Sequence, residues 1–187
     1  MFDRFKGLGV ILLVSCVVEC GGNSDGAVTS LPPMTKLMTL TAAQKTQLCN
    51  GILSYDAKNV STADTCKLQG IATALFVLGS DSTLTDADLQ SACSQTVTAC
   101  NAAPIEAGTC PIADTSTCSA DATIADVSMC IADDATAVNA AIAAYPACSM
   151  VTKAWLQANS TTINGGPAVP ASCSALIAKC PNIMAAQ

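Results

Sequence analysis

The sequence predicts an all-α protein, a disulfide-stapled helical domain built from two similar three-helix units. Three observations carry this expectation. Alanine, the strongest helix former, supplies 33 of the 187 residues. Apolar residues recur at intervals of three and four behind helix-start signals, while the alternation of a half-buried strand is nearly absent. Eight of the 12 cysteines fall into a spacing that repeats.

Each helix has its own start and stop. Thr41 with Gln44 three residues on reads as a capping box, and Leu48, Cys49, Ile52 and Leu53 share a face, so residues 41–56 form the first helix. Thr62 opens the second, in which Cys66, Leu68, Ile71, Ala72, Leu75 and Phe76 keep helical spacing until Gly79. Thr85 with Asp88 caps the third, whose Leu89, Cys93, Val97 and Cys100 gather on one stripe. Thr123 with Asp126 starts a helix through Val127, Cys130, Ile131, Val138, Ile142 and Tyr145, closed by Pro146. Cys148 to about Ala158 is the fifth helix, Asn164 to Pro167 a loop, and Ala171 to Cys180 the sixth helix.

Cys49, Cys66, Cys93 and Cys100 are 17, 27 and 7 residues apart, and Cys130, Cys148, Cys173 and Cys180 are 18, 25 and 7 apart. Matched cysteines are offset by 80 to 82 throughout, which divides the chain into four-cysteine units at 39–102 and 123–187 around a connector at 103–122. Geometry restricts the pairing. Cys93 and Cys100 on one helix stand about 10.5 Å apart, beyond the ~7 Å reach of a bridge. With the three helices antiparallel in sequence, Cys66 pairs with Cys100 and Cys49 with Cys93. The same logic pairs Cys148 with Cys180 and Cys130 with Cys173, and leaves Cys110 and Cys118 to bridge across the connector.

An Ala-rich chain with 3% aromatic residues has little bulky surface to bury, so covalent links are expected to supply what packing does not. Composition also excludes functions. No histidine is present, which removes Ser-His-Asp and Cys-His nucleophiles and imidazole metal sites. A net charge of -6 repels nucleic acid. No C-x-x-C, G-x-S-x-G, G-x-G-x-x-G or P-loop occurs, so neither metal nor cofactor is expected. Asp133 and Asp134 read as a solvated helix face, Asp86 and Asp88 as helix-start residues beside Asp81, and Trp155, Tyr55, Tyr145 and Phe76 as core.

The chain opens with Arg4 and Lys6 followed by an apolar run from Gly7 to Val18, a charged region and a core of about 12 residues, too short to span a bilayer. Leu13-Val14-Ser15-Cys16 resembles a bacterial lipoprotein signal, in which the Cys becomes acylated and N-terminal. The resemblance implies a signal peptide at 1–15, an acyl (palmitate-type) anchor on Cys16 and, with Val17 rather than Asp next, outer-membrane sorting. Cys20 competes for the lipid, although Glu19 before it is not the small residue such signals need. A plain secretory signal is the remaining alternative. Residues 16–38, with Gly, Ser, Asn and Pro32-Pro33, read as a lipidated tether of a mature chain whose net charge is -7, so attachment falls to acyl chains rather than to anionic headgroups.

With Thr123-Ile-Ala-Asp126 running into Cys130, the chain resembles Cys-rich bacterial lipoproteins and secreted proteins of myxobacterial type, a resemblance that implies no activity. The expectation is a non-enzymatic envelope module with a membrane anchor and an unspecified protein partner. The alternatives are a helical carrier for a small apolar ligand, which needs an enclosed apolar cavity, and a hydrolase that uses two facing carboxylates.

Overall fold

The structure, a computed structural model, describes residues 27–103 and 115–183. Six α-helices account for most of them: α1 (Ala42–Asn59), α2 (Thr62–Ser80), α3 (Asp86–Ala102), α4 (Ile124–Ala144), α5 (Lys153–Gly165) and α6 (Ala171–Lys179). Short 3-10 turns stand at Leu37–Thr39 and Cys148–Met150, and the one strand-like contact among the described residues is an isolated antiparallel bridge between Lys36 and Thr123.

The helix starts follow local side-chain chemistry. Gln44 N–H donates to Thr41 Oγ1 at 3.3 Å and Thr41 N–H to Gln44 Oε1 at 3.0 Å, the reciprocal box at the head of α1. Thr85 and Asp88 make the same box at α3. Ser61, one residue before Thr62, caps α2 through Asp64 N–H. α5 begins later than its apolar pattern predicts, because Thr152 accepts from Trp155 N–H and leaves Cys148 in the 3-10 turn upstream. It also runs on to Gly165, where Gly166 takes a left-handed φ of 68° that a side chain would resist.

The described residues form two compact units, and neither matches a sequence repeat. One unit combines residues 60–103 with 138–168, that is α2, α3, the end of α4, the second 3-10 turn and α5. Its core holds Ile71, Ala74 and Leu78 of α2, Leu89 and Cys93 of α3, and Tyr145, Val151, Leu156 and Ile163. The helices α2 and α3 approach closely at Gly70, where an added Cβ would lie 2.7 Å from Val97 Cγ2 and 2.8 Å from the Cys93 carbonyl oxygen.

The other unit combines residues 27–59, 115–137 and 169–183. Leu31, Leu37 and Leu40 pack there with Leu48 of α1, Ile124, Val127 and Cys130 of α4, and Cys173 and Leu176 of α6. Residues 27–38 are therefore not tether. Leu37 is fully buried and donates its N–H to the Ala122 carbonyl, and the Val28 carbonyl lies where a Cβ on Gly51 would stand, 2.5 Å away. The Gly, Ser and Pro content of this stretch conceals three apolar anchors, Val28, Leu31 and Leu37. The rest of the expected signal and tether, including Cys16 and Cys20, lies outside the described residues.

The disulfides agree with two of the expected pairs and overturn the others. Cys66–Cys100 and Cys130–Cys173 are bridged with Cα separations of 5.5 and 4.4 Å. Cys93 is joined to Cys148, not to Cys49, and Cys180 to Cys118, not to Cys148. Cys118 is thus taken from Cys110, which lies outside the described residues, while Cys49 is disulfide-bonded elsewhere than to Cys93. The physical reason is the composition of the units. α2 and α3 pack with the chain around Val151, which brings Cys93 to Cys148, and the connector residues 115–122 pack with the end of α6. Each unit contains two of these four bridges. Bridges of this number belong to an oxidising, extracytoplasmic compartment.

Candidate functional site

Most charged side chains have structural work at helix ends. Asp81 accepts from Thr83 N–H at 2.8 Å and Thr83 Oγ1 at 2.7 Å, which holds its carboxyl below the usual range. Asp88 is held low in the same way by Thr85, and Asp86 accepts from Lys153 N–H at 2.7 Å. These three aspartates are committed to three different partners, and no group of three metal-ligating side chains occurs among the described residues. Lys67 Nζ donates to the carbonyls of Ile142 and Tyr145 at 3.0 and 2.6 Å, ending α4 with a cation where the helix dipole is negative. Lys179 bonds Asp126 at 2.9 Å and lies 3.7 Å from Asp121. Burial pushes Asp126 upward, but the hydrogen bonds from Lys179 and Thr123 outweigh it and hold the carboxyl low.

One acidic pair departs from this pattern. Asp56 on α1 is only 5% exposed, and its Oδ2 has no hydrogen-bond partner. Burial, and secondarily the charge of Asp134 on α4, raise its pKa from 3.8 to about 7. Asp134 is half-buried and raised as well, by burial. Its neighbour Asp133 is exposed and accepts from Ser172 Oγ at 2.6 Å. The expected solvated face therefore holds for Asp133 and fails for Asp134, since adjacent residues on a helix point about 100° apart. Sequence reasoning passed over Asp56. The signal was present, because position 56 continues the stripe of Cys49 and Ile52 at steps of three and four.

The aromatic expectations divide. Tyr145 is buried and meets Trp155 edge to face with centroids 5.7 Å apart, but Phe76 is 61% exposed because α2 turns Gly70, Ile71, Ala74 and Leu78 inward. A depression of about 450 Å3 in the unit of α2 and α3 is lined by Lys67, Ser94, Val97, Thr98, Ala147 and Cys148. Its lining surface is mostly apolar, but it is open to solvent, unlike the enclosed cavity that a carrier needs.

α4 is long and apolar enough to cross a membrane by length and composition. It carries Asp126, Asp133 and Asp134, however, and Cys130 in its middle is bridged to Cys173 of α6, which fits a packed helix better than a span. Comparison with known proteins finds no matching family model, no matching curated protein and no matching solved structure.

Proposed function

We propose that this chain is a lipid-anchored envelope protein that acts through its surface rather than through catalysis. The supporting observation is the set of four intrachain disulfides that staple the helices of both units, a design that endures outside the cytoplasm. The lipoprotein-like Leu13-Val14-Ser15-Cys16 supplies the means of attachment, since an acidic chain gains nothing from anionic headgroups. Outer-membrane residence follows from Val17 after the acylated Cys. Polar side chains already engaged at caps, helix ends and turns leave little for chemistry, and a fold held by covalent staples suits a rigid module on display.

Labelled palmitate fed to a bacterium expressing the full chain tests this reading. Label should enter the wild type and the Cys20→Ala variant, disappear in Cys16→Ala, and follow the outer-membrane fraction. A wild-type chain that carries no label and is recovered in the soluble extracytoplasmic fraction would overturn it.

A further inference from the structure

We propose that Asp56 and Asp134 form a proton latch on α1: while the pair keeps one proton α1 stays seated against α4, and loss of that proton frees the helix. The geometry is a carboxyl that is 95% buried, with an oxygen that nothing satisfies, on a helix whose Leu48 and Ile52 share a core with Ile124, Val127 and Cys130 of α4, and the charge of Asp134 on α4 reaches it. With a proton on Asp56 the pair carries one negative charge. Without it, two like charges meet and one of them has no solvent.

Among the described residues, no cation is among the causes that move the Asp56 carboxyl. On α4, Asp126 is bonded to Lys179 and Asp133 is turned outward to Ser172. On α6, Lys179 divides itself between Asp126 and Asp121. In the preceding segment Lys36 lies toward Asp121, and the described residues 27–31 carry no titratable group. On α1 itself Lys45 is about three turns away, half-buried Tyr55 is the adjacent residue, and Lys58 is exposed.

The sign follows from linkage. Seated, Asp56 titrates at about 7; freed into water it titrates near its ordinary 3.8. Between about pH 4 and 7 the seated form therefore holds a proton that the freed form has lost, and each pH unit lowers the seated-to-freed ratio by up to about tenfold. Below this window both forms are protonated, and above it neither is.

Hydrogen exchange of the oxidised full chain, corrected for intrinsic rates, reads this directly. Between pH 5 and pH 7 the protection of α1 should fall by about 10- to 100-fold, while that of α2 and α3 stays level. In Asp56→Asn, which keeps a neutral side chain of the same shape, α1 should hold its protection across the range. In Asp134→Asn the fall should persist but level off at lower pH and be smaller, because burial remains and the like charge is gone. The latch is overturned if wild-type α1 protection does not change with pH, if α2 and α3 fall in parallel with α1, or if Asp56→Asn falls as the wild type does. Should Asp56→Asn not fold, a fall in Asp134→Asn of the same size that levels off at the same pH as in the wild type overturns it instead.

Discussion

Replacing Cys93 and Cys148 together by Ala removes a bridge that joins residues 55 apart in the chain. Releasing a loop of that length restores chain entropy to the unfolded state worth about 4 kcal/mol at 25 °C. The folded state loses packing as well. Cys93 is fully buried, and its Sγ lies 3.1 Å from where a Cβ on Gly70 would stand, so the sulfur fills the gap between α3 and α2. Leaving that space empty adds on the order of 1 kcal/mol. The sum, about 5 kcal/mol, compares with a total stability of roughly 5–15 kcal/mol for an ordinary domain. The assay is urea unfolding under oxidising conditions, followed by helical circular dichroism. The midpoint should fall steeply and the dependence on urea should steepen, because the unfolded chain exposes more surface once uncrosslinked. A variant within about 1 kcal/mol of the wild type would refute the reasoning, being the range of an ordinary surface substitution. So would a non-reduced peptide map that joins Cys93 to Cys49.

Glycine substitutions on α2 should separate by position. Gly70→Ala is expected to lower stability by about 1–3 kcal/mol through overpacking against Val97 and Cys93, whereas Gly79→Ala, with nothing within 4 Å, should raise it by about 0.5–1 kcal/mol, both read from denaturant midpoints. Lys67→Met should cost about 1–2 kcal/mol, because two carbonyls at the end of α4 lose a charged donor; thermal unfolding measures this. Thr85→Ala should cost about 1 kcal/mol by removing the α3 cap, with faster amide exchange in the first turn of α3 as its local signature. On the acid side, Asp126 is held low in the folded protein, so its contribution is present above about pH 4 and is lost as pH falls through the folded value. A pH series of melting temperatures should accordingly show a shallower acid limb in Asp126→Asn than in the wild type.

Much of the fold is legible in local pattern. Thr41 with Gln44 and Thr85 with Asp88 name the heads of α1 and α3, since a cap needs only residues three apart. The stripe of Leu89 and Cys93 is buried where periodicity puts it. The same reading fails where two faces compete. On α2 the small residues Gly70 and Ala74 are turned inward and Phe76 outward, because close approach to α3 favours absent side chains over large ones. Asp56 was equally legible by position and was missed because a carboxylate on an apolar stripe reads as a break in the pattern, when its place on the stripe marks it for burial.

The sequence by itself determined the helical class, most helix starts, and the cysteine density that goes with an oxidising compartment, since propensity, capping and composition act over a few residues or over none. Only the tertiary structure decided which sulfurs meet, that residues 27–38 join a core, and that the two compact units each draw helices from both repeats. A cysteine on a buried stripe announces that it will be covered. Which helix covers it depends on packing between segments tens of residues apart, and spacing along the chain carries no term for that.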